Sequence, residues 1–159
     1  MRKSESDGTN GRDSRPAGHS SHNSHPSHDP VAFGLPHRKP FLFVDSVTRH
    51  VPGVEAVGEV TFAMEDPMFA GHFPGNPIVP GVILTEALAQ VAGIAGSSEK
   101  GFLLSAIRAM KFPSPARPGE NILLRATKAV SLGGLFQFFV SAEVAGRIVA
   151  EGQVVLNEL

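Results

Sequence analysis

Residues 67–98 read PMFAGHFPGNPIVPGVILTEALAQVAGIAGSS, and His72 and Glu86 are the only side chains among them that ionise near neutral pH. Pro67, Pro74, Pro77 and Pro80 punctuate the first half, and proline fixes φ, so this part reads as a stiff loop. The second half predicts a helix over Gly81 to Gly96. Pro80 suits its start, and Gly96 followed by Ser97 and Ser98 suits its end. A surface helix carries a polar stripe, whereas VILTEALAQVAGIA is apolar almost all round, so the helix is expected to be buried on nearly every side.

Strand signals flank this segment on both sides. FLFVDSVTRH (41–50) is rich in β-formers, and the VPG turn at 51–53 leads to VEAVGEVTF (54–62), where Ala56, Gly58, Val60 and Phe62 alternate with polar residues. Downstream, FLLSAIRAMKF (102–112) and NILLRATKAV (121–130) are strand candidates separated by the loop PSPARPGE. In LFQFFVSAEV (135–144), Phe136, Phe138, Val140, Ala142 and Val144 share one face. In RIVAEGQVVL (147–156), Ile148, Ala150, Gly152, Val154 and Leu156 do the same. One buried helix and about six strands joined as hairpins, with no parallel crossover, give an α+β class in which an antiparallel sheet wraps the helix.

The chain has 159 residues, enough for one domain with a real core. Residues 1–30 are Ser, Thr, Gly, Asn, Pro, His and charges apart from Met1 and Ala17, and such a stretch cannot bury enough surface to offset its ordering entropy. This predicts a disordered tail over 1–30 and a folded domain over 31–159. His19, His22, His25 and His28 recur every third residue in the tail, which allows metal chelation or simply a solvated low-complexity segment. With no cysteine, disulfides, thiolate zinc sites and cysteine nucleophiles are excluded. Fourteen basic against fifteen acidic residues create no field that would draw in nucleic acid or an anionic membrane. No apolar run is long enough to span a membrane and no signal-peptide segment opens the chain, so the expectation is a soluble, cytoplasmic protein.

Glu86 falls on the second turn of the apolar helix. A bare carboxylate there costs several kcal/mol, so it must be protonated, paired, or open to solvent through a gap. His72 lies fourteen residues earlier, in a GHFPG loop that holds an imidazole in one place. A lone loop histidine is better explained by structure, but beside an otherwise unexplained Glu it becomes a candidate base or acid. The Gly81 amide at the helix start, just after Pro80, points the positive end of the helix dipole outward and suits a carbonyl oxygen gaining charge. Gln90, one turn after Glu86, is placed to bond its carboxyl group or a water, or merely to fill a polar gap. Phe73, next to His72, is a candidate apolar contact for a substrate, as is Pro80.

LPHRKPFLFVD (35–45), GHFPGNPIVPGVILTEALAQ (71–90) and RPGENI (117–122) resemble, in order and spacing, the hallmark stretches of the (3R)-hydroxyacyl-acyl carrier protein dehydratases of the FabZ type. The resemblance covers about residues 33–157. It implies a hotdog fold, a homodimer with the two sheets side by side, and an active site at the dimer interface. Carried over, the catalytic pair is His72 of one chain and Glu86 of the other, with the Gly81 amide polarising a thioester carbonyl and no metal or organic cofactor. Glu at position 86 matches this branch, whereas the related dehydratase-isomerases carry Asp. The implied reaction removes water from a 3-hydroxyacyl thioester on acyl carrier protein to leave a trans-2-enoyl thioester.

Pro113 and Ser114 stand where the family usually has further basic residues, which leaves Arg108, Lys111 and Arg117 to meet an acidic carrier protein. Thr85 stands where an aliphatic residue is usual. The same fold also hosts acyl thioesterases and could carry a non-catalytic acyl-carrier-binding paralogue. The GDxNP context of MaoC-like hydratases is absent.

Overall fold

The computed structural model describes residues 28–159. Its elements are β1 (Ser46–Val51), β2 (Glu55–Thr61), a one-turn helix α1 (Met68–Gly71), α2 (Gly81–Gly96), β3 (Phe102–Lys111), β4 (Asn121–Leu132), β5 (Leu135–Val144) and β6 (Arg147–Glu158), preceded by a 3-10 turn over Pro30–Phe33. The strands form one antiparallel sheet in the order β1-β2-β4-β5-β6-β3. It curls around α2, which touches all six strands.

The α2 boundaries are those the sequence predicts, and Leu84, Ala87, Leu88, Val91, Ala92, Ile94 and Ala95 are buried on it. Each large apolar side chain buried in this way contributes about 1.5–3 kcal/mol. The facing layer comes from alternate sheet positions, among them Ala56 and Val60 on β2, Ile122 and Leu124 on β4, Phe138 and Val140 on β5, and Val154 and Leu156 on β6. Ser97 ends the helix in the left-handed conformation, its N–H bonded to the Gly93 carbonyl.

Three local expectations shift. Strand β1 begins at Ser46 rather than Phe41, because the Phe41 carbonyl and Phe43 N–H bond the Gln90 side chain on α2 instead of a neighbouring strand. The segment after Pro67, read as loop, opens with the single turn α1, closed by the Asp66 carboxylate accepting from Met68 N–H and by the Met68 carbonyl accepting from His72 N–H. Of the predicted tail, residues 1–27 and with them His19, His22 and His25 lie outside the described residues. His28, Asp29 and Pro30 belong to the fold: His28 exchanges two backbone hydrogen bonds with Val47, Asp29 caps Val31 N–H, and Pro30 is buried.

Strands β1 and β3 are the two edges of the sheet, and on β3 residues 103–109 are all exposed. Leu104 and Ile107 lie opposite Leu156 and Val154 of β6. Those partners are 2% and 0% exposed, whereas Leu104 is 39% and Ile107 54% exposed. The apolar face of the sheet thus runs one strand further than the chain's own helix covers.

Candidate active site

His72 closes α1 and begins a tight loop. Its carbonyl accepts from Ile78 N–H, and Arg117 donates to Asn76 Oδ1 and to the Pro77 carbonyl. Val79 N–H donates to the Ala116 carbonyl. The loop is thus held by the RPGENI segment as well as by its prolines. The ring of His72 is fixed through Nδ1, 3.1 Å from the Ile78 carbonyl oxygen. A carbonyl only accepts, so Nδ1 carries the hydrogen and, in the neutral ring, Nε2 carries the lone pair.

His72, Phe73, Gly81 and Phe112 line one cavity of about 430 Å³. At the start of α2 the Pro80 carbonyl accepts from both Ile83 and Leu84, while among the described residues no backbone carbonyl accepts from Gly81 N–H. Space is tight there: a Cβ on residue 81 would lie 3.0 Å from the Phe112 ring, which would have to give by a few tenths of an ångström. Phe73 is 53% exposed at the rim. Pro80, expected to touch substrate, is not among the residues lining this cavity or the one holding Glu86; its part is to set the entry into the helix.

Glu86 lines a second cavity of about 270 Å³, with Leu35, His37, Phe41, Gln90 and Leu104 among its walls. It is paired rather than bare. Oε1 accepts from Gln90 Nε2 at 3.0 Å and lies 3.5 Å from His37 Nε2, and its side chain keeps 21% exposure. Gln90, 1% exposed, also gives its second N–H to the Phe41 carbonyl and accepts from Phe43 N–H. Both amide hydrogens are spent on protein: Gln90 bonds the Glu86 carboxyl group, as its helical spacing suggested, and ties the 37–43 segment to the helix beside it. Thr85 is turned inward and donates to the Gly81 carbonyl at 2.8 Å.

His37 lies within LPHRKPFLFVD and is not among the site residues the sequence singles out. Its contact with Glu86 spans 49 positions, and nothing local in the sequence marks it out. Arg38 holds the segment by donating to the Leu35 and His37 carbonyls.

Among the described residues, no hydrogen bond or ion pair joins His72 to Glu86 within the chain. Helix geometry explains the separation. Gly81 and Glu86 project about 140° apart around the axis, while Glu86, Gln90 and Gly93 cluster within about 60°. One face of α2 therefore serves the His72 cavity and another the Glu86 cavity. The two cavities meet opposite ends of β3: Phe102, Leu103 and Leu104 at its start line the Glu86 cavity, and Phe112 just past its end lines the His72 cavity.

Residues 49–153 match a family model described as ApeI-like, ApeI dehydratase. Among curated relatives, the 3-hydroxyacyl-[acyl-carrier-protein] dehydratase FabZ of Ruminiclostridium cellulolyticum is 44% identical, covering 76% of this chain and 88% of its own. The proteins of the same name from Acetivibrio thermocellus and Geobacter metallireducens are 42% and 38% identical, each over 76% of this chain and over 86% and 85% of their own. Among solved structures, the dehydratase heterocomplex ApeI:P from Xenorhabdus doucetiae superposes with a TM-score of 0.68 at 17% identity, covering 83% of this chain and 92% of that one. The HP0420 homologue from Helicobacter felis gives 0.65 at 14% identity, with 84% and 90% covered. At such identities these structures speak for the fold, and the curated sequences speak for the family. The chain belongs to the 3-hydroxyacyl-[acyl-carrier-protein] dehydratases of the FabZ type, enzymes of the hotdog fold.

Proposed function

We propose that this protein dehydrates (3R)-hydroxyacyl thioesters carried on acyl carrier protein, in a site made of His72 and Gly81 from one subunit and Glu86 from its partner. The supporting observation is the position of the two half-sites on α2 and β3. A two-fold axis through the middle of β3 pairs this edge with its copy and exchanges the strand's two ends. The Glu86 cavity, at the start of one β3, then adjoins the partner's His72 cavity, at the end of the other. The same pairing covers Leu104 and Ile107, which the chain alone leaves exposed.

In the joined site, His72 Nε2 takes the C2 proton of the substrate while the Gly81 amide stabilises charge on the thioester oxygen. The C2 electron pair forms the C2=C3 bond, the C3–O bond breaks, and the acid proton of Glu86 leaves with the hydroxyl as water. The proton on His72 then returns to Glu86 through solvent, which restores both groups. No step requires a metal or organic cofactor. Arg108, Lys111 and Arg117 are exposed, Lys111 next to Phe112 of the His72 cavity and Arg117 bonded to the loop after His72, and they suit an acidic carrier protein.

Dehydration of 3-hydroxyacyl carrier protein by wild type, His72→Ala and Glu86→Gln tests this. Each variant is expected to lose roughly a hundredfold or more in kcat while keeping its fold. Near wild-type turnover by either would contradict the assignment, and release of free thiol by wild type would indicate a thioesterase.

A further inference from the structure

The hydrogen bonds around Glu86 determine which of its oxygens holds the acid proton. The backbone N–H of Phe43 can only donate. Gln90 receives it at 2.9 Å through Oε1, so that atom is the amide oxygen and the other is the NH2 group. The NH2 group sends one hydrogen to the Phe41 carbonyl at 3.1 Å and the other to Glu86 Oε1 at 3.0 Å. Oε1 is therefore an acceptor, and when Glu86 is protonated its hydrogen sits on Oε2. His37 Nε2 also faces Oε1, at 3.5 Å. Facing an oxygen that already accepts, His37 Nε2 is the donor atom of its ring, which leaves Nδ1 with a bare lone pair.

The other nitrogen agrees. His37 Nδ1 is buried with no hydrogen-bond partner. An orphaned buried N–H is the costlier and rarer arrangement, so the tautomer with hydrogen on Nε2 is the one this pocket accommodates. The ring is held by stacking on Phe41, with centroids 6.2 Å apart and planes at 28°, and the His37 carbonyl is clamped by Arg38.

We propose that His37 is a positioning residue for the dehydration. Gln90 donates to Glu86 Oε1 and His37 Nε2 faces the same oxygen at 3.5 Å, which keeps Oε1 turned toward the protein, so that the acid proton is presented from Oε2, the oxygen left for the substrate hydroxyl. The inference rests on Glu86 being the acid of the proposed reaction. It adds to that reading the orientation of the acid and the residue responsible for it. Without the His37 donor, the carboxyl group can rotate and place its hydrogen on the wrong side for part of the time, which slows the chemical step and leaves substrate binding nearly unchanged.

The test uses the full-length protein and two variants. His37→Phe keeps a ring without a donor, while His37→Gln places an amide N–H near the position of Nε2. Expected is a fall of about tenfold in kcat for His37→Phe with KM within about twofold, and recovery of most of the loss in His37→Gln. In parallel, a long-range ¹H–¹⁵N spectrum of histidine-labelled wild type, with the His37 signals identified by their loss in His37→Gln, is expected to report the neutral Nε2–H tautomer. Equal losses in the two variants, an unchanged kcat in His37→Phe, or an Nδ1–H tautomer would overturn the proposal. If His37→Phe does not fold, the wild-type tautomer decides. If wild type itself fails to dehydrate, the reading of the reaction falls, and the spectrum still decides the hydrogen-bond assignment on its own.

Discussion

His72 and Glu86 stand out in the sequence because nothing else in 67–98 ionises, and each has a physical reason for its placement: a pinned loop for one, and paired hydrogen bonds on a helix for the other. What surrounds them was less legible. Gln90 is visible as a helical neighbour of Glu86, but its bonds to Phe41 and Phe43 depend on how the 35–45 segment packs, and so does the approach of His37. Gly81 is a further case, readable as a helix start but not as a space that Phe112 fills. Replacing it with alanine leaves the helix intact, since alanine is the better helix former. The new methyl group pushes against the Phe112 ring in the His72 cavity. Gly81→Ala is therefore expected to lower kcat about tenfold with little change in Tm, as read by dehydration assay and calorimetry. Unchanged turnover would mean that Phe112 yields without disturbing the cavity.

At the scale of the element, α2 was legible end to end because its apolar circumference and its Pro and Gly boundaries are local signals. The hairpin of β5 and β6 was legible from alternation, with Phe138, Val140, Val154 and Leu156 buried where the pattern put them. Strand β3 carries a different signal. FLLSAIRAMK is apolar on both faces, which suits a strand covered on both sides, yet this chain covers neither face over residues 103–109. The deficit points to a second copy. A charge on an edge strand is an effective block to pairing. Ile107→Lys is thus expected to yield monomer in light scattering and to cut dehydration by at least about tenfold, although it alters neither His72 nor Glu86. A fully active dimer would place the interface elsewhere.

At the scale of the molecule, the neighbours β1–β2, β4–β5 and β5–β6 follow from hairpins, whereas the placing of β2 beside β4 and of β3 beside β6 is long-range, and the assembly depends on an edge whose partner lies outside the sequence of a single chain. In the proposed site His72 and Glu86 act across two chains, and mixing two inactive variants tests this most directly. His72→Ala and Glu86→Gln, each inactive alone, are unfolded and refolded together. Each mixed dimer then pairs an intact His72 from one chain with an intact Glu86 from the other in one of its two sites. Random assembly predicts roughly a quarter of wild-type dehydration activity per chain. If both residues of a site come from one chain, every site in the mixture lacks one of them, and activity stays at the level of the separate variants.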